Sequence, residues 1–179
     1  RSFHVTGVQT CALPISTDYY ARQMPDDVVG DDSSIAATLA AVGDRWTLLI
    51  LRDLFRGVRR FEHLRSDLGI ARNLLTDRLQ RLVQLEIVHR VPYQDRPVRH
   101  EYRLTAKGAD LSPALVALMR WGDRWYALDG PPTLLVHDSC GTPLDQAVSC
   151  PACHEPVGPQ HIRSRPGPGR MTQTTGAHR

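Results

Sequence analysis

Apolar positions between Ser34 and Leu128 recur with two different periods, and the switch between them lays out the elements. Ile35, Leu39 and Val42 fall four and three apart, the stripe of a helix that Gly43 closes. The run WTLLILRDLF, Trp46 to Phe55, places Leu48, Leu49, Leu51 and Phe55 on more than one face. That pattern predicts a central, mostly buried helix ended by Gly57. Phe61, Leu64 and Leu68 predict a third helix, broken at Gly69 before Ile70. A fourth spans about Ala71 to Leu85, with Leu75, Leu79 and Leu82 on one face, widened by Leu74 and Val83. Its opposite face carries Arg72, Asn73, Thr76, Gln80 and Arg81.

The period then drops to two. Ile87–Pro92 and Arg99–Thr105 read as strands with Val88, Val91, Tyr102 and Leu104 half buried, around a polar loop from Tyr93 to Val98. A last long helix starts near Thr105, a suitable N-cap. Leu111, Leu115, Leu118, Gly122 and Trp125 repeat at 4-3-4-3 along it, beside a second row through Ala114, Trp121 and Leu128. Pro113 belongs in a first turn or at a kink, and Asp129-Gly130-Pro131-Pro132 is a strong stop. Two short helices across a Gly-containing turn outline a helix-turn-helix. A basic hairpin after them outlines a winged helix. The expected fold is therefore mainly α with a small β-wing (α+β): a winged helix-turn-helix, a dimerising C-terminal helix and a small Cys/His knuckle.

Composition adds to this picture where it is uneven. The chain has 179 residues and a net charge of +3. Residues 17–44 hold one Arg and six Asp, whereas residues 45–103 hold 13 Arg against seven acidic residues. The helix-turn-helix segment is thus the candidate for a polyanionic partner. Lys107 is the only lysine. No apolar run approaches the ~18 residues of a membrane-spanning helix, so no membrane partner is expected. Four cysteines are too few for a disulfide scaffold.

The two ends read differently from the middle. Val5–Ile15, VTGVQTCALPI, resembles the conceptual translation of a DNA-sequencing adapter fused in frame. It lacks the basic flank and apolar core of a signal peptide. Arg1 to about Ser16, with Cys11, is set aside on that reading, and the expected location is the cytoplasm. Residues 17–32 are acidic and polar, so 1–32 is expected to be an artefactual and disordered start. Residues 158–179, rich in Gly, Pro, Arg and Thr, are expected to be a disordered tail.

The segment SIAATLAAVGDRWTLLILRDLFRGVRRFEHLRSDLGIARNLLTDRLQRLVQLEIVHRVPYQDRPVRHEYRLTAKG, residues 34–108, resembles the HxlR family of winged helix-turn-helix transcription regulators. The blocks VGDRWTLLILRDL, RRFEHLRSDLGIARNLLTDRL and EYRLTAKG carry the likeness, in order. It extends through LMRWGDRW to about Pro131, giving an expected domain of 33–131. The resemblance implies a cytoplasmic, usually homodimeric, DNA-binding regulator of bacterial operons. Some family members sense oxidants through a cysteine just before the first helix. Ser33 stands there in this chain, so that mechanism is not expected.

A recognition helix inserts its N-terminal half into the major groove. Arg forks onto guanine there, and Asn or Gln pairs with adenine. Arg72 and Asn73 are the first candidates for base contact, then Thr76 and Gln80, with Arg78 further round at a phosphate. Asp77 is expected to pair with a neighbouring Arg. Arg96 and Arg99 suit a wing contact to backbone or minor groove, and Arg59 and Arg60 suit phosphate anchoring. Arg52 and Asp53 are expected in a structural ion pair. The wide stripe of the last helix, Leu111, Leu115, Leu118, Trp121 and Trp125, is the candidate dimer interface. Expected partners are double-stranded DNA, a second copy of the chain and, as an open alternative, a small-molecule effector.

His137, Cys140, Cys150 and Cys153 read H-x2-C-x9-C-x2-C. Two such pairs match the needs of tetrahedral Zn²⁺, and the segment 133–157 has too few apolar residues to fold without a staple. A structural zinc in a ribbon-like unit is expected, with His154 as an alternative fourth ligand. Enzyme motifs are missing: there is no nucleophile elbow, Gly-rich phosphate loop or HExxH. The leading function is a DNA-binding regulator, most often a repressor, acting as a homodimer on an inverted repeat. The alternatives are a metal or thiol sensor working through the Cys/His cluster, or an interaction module that docks through it.

Overall fold

A computed structural model of the chain describes residues 33–165 and Gly167. The adapter-like start with Cys11, the lead-in 17–32 and most of the expected tail lie outside the described residues. Two compact units divide the chain, Arg1–Leu115 and Val116–Arg179.

The first unit is helical with one hairpin. Its order is α1 (Ser34–Val42), α2 (Arg45–Phe55), α3 (Phe61–Leu68), α4 (Arg72–Gln84), β1 (Val88–Asp95), β2 (Val98–Leu104) and α5 (Ala106–Ala109). α6 (Ser112–Tyr126) follows. The core forms where apolar stripes meet: Ile50, Leu51 and Leu54 from α2, Leu64 from α3, Leu75, Leu79 and Leu82 from α4, and Val88 from β1. Six of these are fully enclosed at α2, α3 and α4: Ile50, Leu51, Leu64, Leu75, Leu79 and Leu82 expose 1% or less. Each such side chain contributes about 1.5–3 kcal/mol of burial, so this cluster dominates the stability of the unit.

α2 is the central helix that its sequence predicts, and Asp44 starts it. The Asp44 carboxylate accepts the amides of Trp46 and Thr47 at 3.1 and 3.2 Å, satisfying donors that a helix start otherwise leaves open. The Thr47 hydroxyl also donates to it. Arg78 of α4 donates its Nε to the same carboxylate at 2.9 Å. The cap of α2 is thus also a clasp onto α4. Asp53 is fully buried and receives Arg52 at 2.8 Å and Arg56 at 3.4 Å on Oδ1, which is the ion pair expected at Arg52–Asp53.

The hairpin is longer than its sequence suggests. β1 and β2 pair antiparallel from Val88↔Leu104 to Asp95↔Val98, so only Arg96 and Pro97 remain as the turn. Of the loop expected from Tyr93 to Val98, Tyr93, Gln94, Asp95 and Val98 belong to the strands. A bulge between Pro92 and Gln94 absorbs the missing amide of Pro92, and pairing resumes beyond it. The base of the hairpin is core, through Val88, and its tip is exposed. The Arg59–Arg60 segment lies along β2: Tyr102 donates its amide to the Arg59 carbonyl at 2.8 Å, and the backbones of Arg60 and Glu101 form an isolated antiparallel bridge.

The single long helix expected after Thr105 is two. Thr105 caps α5 by accepting the Gly108 amide at 3.1 Å, but the helix breaks at Asp110–Leu111 and restarts at Ser112. Pro113 explains the restart, because its ring fits a first turn and lacks the amide that an uninterrupted helix needs. Leu111 and Leu115 pack on the core.

The second unit contains the rest of α6 and the segment after it. None of its described residues is buried. Arg120 ties the helix to the following segment, donating to the Leu144 carbonyl at 2.6 Å and pairing with Asp145 at 2.8 Å. The sequence places the domain break at Pro131-Pro132, whereas the compact units meet at Leu115–Val116. Within the expected disordered tail, Pro159–His161 form a 3₁₀ turn, which Pro159 favours by presetting the backbone at the first position. No single helix among the described residues is long and apolar enough to cross a membrane.

Replacing Asp44 with Ala removes the α2 cap and the partner of Arg78 together. Urea unfolding is expected to show a loss of about 1–2 kcal/mol. The same carboxylate sets a pH dependence. Burial pushes Asp44 upward, but hydrogen bonds from Thr47 and Arg78 outweigh it and hold the carboxyl below its ordinary value of 3.8. Its contribution is complete above that value and is lost as pH falls through the lower folded value. Asp44→Ala should therefore flatten the acid limb of the stability profile.

Candidate nucleic-acid interface

The helix-turn-helix is α3, Gly69-Ile70-Ala71 and α4. Gly69 sits at φ +60°, a left-handed conformation that glycine adopts without the side-chain clash other residues suffer. The turn it makes drives Ile70, 4% exposed, into the core. Leu75, Leu79 and Leu82 then fix the rotation of α4, since all three are buried one turn apart. The opposite face turns outward: Arg72, Asn73, Asp77 and Gln80 are exposed and Thr76 is half-buried. No side chain caps the N-terminus of α4 at Ala71. That end carries the positive pole of the helix dipole and suits an anionic partner.

Arg72 is already held. Its Nη2 meets Glu62 Oε1 at 2.5 Å, its guanidinium lies 5.3 Å from the centre of the Phe61 ring, and Arg65 pairs with the other Glu62 oxygen at 2.9 Å. Glu62 therefore spans the turn from α3 to α4. Desolvation pushes its pKa up, but Arg72 and Arg65 outweigh that and hold the carboxyl below the ordinary range. Sequence reading missed Glu62. Its i,i+3 spacing to Arg65 is a usable signal, but the pairing across ten residues to Arg72 depends on the turn. Asn73 accepts the Leu74 amide at 2.9 Å, and Thr76 donates back to the Arg72 carbonyl at 2.9 Å.

Three residues of α4 differ from expectation. Arg78, expected at a phosphate, is taken by Asp44. Arg81, expected on the outer face, is half-buried and donates to the Ala40 carbonyl of α1 at 2.6 Å. Asp77, expected to pair with an arginine, makes no ion pair among the described residues. In each case the axial rotation set by the three leucines decides which polar side chain faces a neighbouring element.

On the wing, Arg96 and Arg99 are exposed at and beside the turn. Arg59 and Arg60 are exposed ahead of α3, with the Arg60 guanidinium 4.5 Å from the centre of the Tyr93 ring. That stacking fixes the Arg60 stem against the hairpin while leaving its charge in water.

The expected dimer stripe splits. Leu111 and Leu115 are half-buried and pack against their own core. Leu118, Trp121 and Trp125 stay 54–60% exposed. Trp121 packs against Tyr126, ring centres 5.3 Å apart, and Arg124 lies over Trp125.

The Cys/His residues come together as pairs. His137 Nδ1 lies 3.3 Å from Cys140 Sγ, and the Cys150 and Cys153 side chains are neighbours. Among the described residues no three His, Cys, Asp or Glu side chains are gathered into one metal-sized group.

Comparison with known proteins agrees with this architecture. Residues 41–129 match the HxlR-like helix-turn-helix family. The chain is 47% identical over 140 residues to an uncharacterized HTH-type transcriptional regulator, MT3179, of Mycobacterium tuberculosis (strain CDC 1551 / Oshkosh), covering 78% of this chain and 89% of that protein. It is similar to the crystal structure of PA1607, a proposed transcription factor, with TM-score 0.69 and 34% identity over 76% of this chain and 96% of that one. A second proposed transcription factor, PA1374 from Pseudomonas aeruginosa, gives TM-score 0.56 and 38% identity over 76% and 93%. With its winged helix-turn-helix, its outward polar face on α4 and these relatives, the chain belongs to the HxlR-like helix-turn-helix family of DNA-binding transcriptional regulators.

Proposed function

We propose that this regulator lays the N-terminal half of α4 in the major groove of double-stranded DNA and reads bases with Arg72 and Asn73. One observation carries the reading. Leu75, Leu79 and Leu82 are sunk in the core while Arg72, Asn73 and Gln80 stand exposed on the far side of the same helix. Arg72 forks onto guanine and Asn73 pairs with adenine; Thr76 and Gln80 lie one and two turns on. Glu62 holds the Arg72 guanidinium in place before DNA arrives. Arg59 and Arg60 anchor phosphates, and Arg96 and Arg99 serve the wing contact.

The protein acts as a homodimer. Ile35 and Leu39 on α1, and Leu118, Trp121 and Trp125 on α6, leave large apolar surface in water in a lone protomer. A two-fold dimer reads an inverted repeat. Occupancy of such an operator blocks access to a promoter, which makes repression in the bacterial cytoplasm the favoured outcome, with no catalytic step. Ser33 ahead of α1 excludes a thiol switch at that position.

Selection of bound sequences from a random duplex pool should enrich a palindrome; no enrichment would defeat the base-reading assignment. An Arg72→Ala, Asn73→Ala double variant should lose about 1–3 kcal/mol of discrimination per contact while its helical circular dichroism is unchanged. Affinity should fall with salt at a log–log slope near about −5, for roughly six phosphates neutralised per dimer. Leu118→Glu with Trp125→Glu should give a monomer by sedimentation velocity and weaken operator binding.

A further inference from the structure

The segment after α6 contains two turns built to the same plan, offset by thirteen residues. In the first, the Gly141 amide donates to the His137 carbonyl at 2.7 Å and the His137 amide to the Thr142 carbonyl at 2.9 Å. In the second, the His154 amide donates to the Cys150 carbonyl at 2.8 Å and the Cys150 amide to the Glu155 carbonyl at 3.0 Å. The flanks repeat as well. Leu144 donates to Leu135 at 2.8 Å and Val157 to Val148 at 2.7 Å, and bridges join Val136 to Pro143 and Ser149 to Pro156. The fifth residue of each turn is left-handed, Gly141 at φ +69° and His154 at φ +60°. His137 therefore occupies the place of Cys150, Cys140 that of Cys153, and His154 that of Gly141.

A second observation is independent of the turns. No described residue from Val116 onward is buried, and Leu134, Val136, Leu144 and Val148 are all exposed. A unit of this size with no core lacks the apolar burial that holds small domains together. Small domains of this kind are commonly closed by a metal or disulfides. The three cysteines here are free.

We propose that His137, Cys140, Cys150 and Cys153 bind one Zn²⁺ per chain and that this ion closes the segment. Three thiolates and one imidazole form the soft, four-coordinate set that zinc prefers. The 3.3 Å between His137 Nδ1 and Cys140 Sγ is close to the edge of a zinc tetrahedron, about 3.6 Å from ordinary Zn–N and Zn–S lengths. The first pair is thus almost in ligating position, and binding consists of bringing the second pair onto the same ion. Thr142 Oγ1, 3.2 Å from Cys140 Sγ, is placed to donate to that sulfur once it is a thiolate. His154 is not a ligand: its place is the left-handed corner that Gly141 fills in the other turn. With four protein ligands the site has no open position for water, so its role is structural.

The test uses the full chain, dialysed against ZnCl₂ and then against metal-free buffer, with zinc measured by mass spectrometry. One retained zinc per chain is expected, together with the intense visible bands of tetrahedral, thiolate-bound Co²⁺ when CoCl₂ replaces zinc. Cys140→Ser, Cys150→Ser, Cys153→Ser and His137→Ala should each lose the metal, and His154→Ala should keep it. His137→Cys should restore retention, which separates a ligand role from a general folding defect. Limited proteolysis should cut within residues 133–157 only after chelation. A full chain that retains no zinc and gives only the pale spectrum of octahedral Co²⁺ would overturn the site. Retention by His137→Ala with loss in His154→Ala would overturn the ligand assignment.

Discussion

The axial rotation of α4 governs this molecule. Three leucines, Leu75, Leu79 and Leu82, are sealed against α2, α3 and the base of the hairpin. Turning the helix by a quarter would pull them into water at about 1.5–3 kcal/mol each. That constraint, made wholly of hydrocarbon, decides which polar side chains look outward. Arg72, Asn73 and Gln80 owe their exposure to it, and Arg78 and Arg81 owe to it their engagement with Asp44 and Ala40.

Electrostatic clasps refine what packing sets. Asp44 joins the start of α2 to the middle of α4, and Glu62 joins α3 to the first turn of α4. Both are partly exposed, so each is worth a modest amount on its own. Their value lies in geometry. A guanidinium held by a carboxylate keeps one of its many rotamers, so less freedom is left to lose when it is engaged.

Much of this was legible in the sequence because it is local. The spacing of Leu75, Leu79 and Leu82 announces a helix and its buried face, Gly69 announces the turn, and Asp129-Gly130-Pro131 announces a stop. The HxlR-like blocks placed these pieces in one family, which the match over residues 41–129 bears out. What was illegible is what depends on two distant elements meeting. Nothing near Arg81 in the chain says that its neighbour is the carbonyl of Ala40. Arg72 lies ten residues from Glu62, and only the finished turn brings them together. Leu111 and Leu115 looked continuous with Leu118 and Trp125, because a heptad stripe does not reveal that one end faces the protomer's own core. The length of the hairpin was hidden by Pro92, which reads as an end until a bulge is allowed for.

The lone lysine has a particular address. Lys107 Nζ donates to the Leu85 carbonyl at 2.8 Å, closing the C-terminal end of α4, while every other basic side chain in the described residues is Arg or His. Acylation enzymes neutralise ammonium groups and leave guanidinium groups untouched. The arginines of this regulator are therefore beyond the reach of lysine acetylation, and the one side chain such an enzyme could modify is bonded to the Leu85 carbonyl at the C-terminal end of α4.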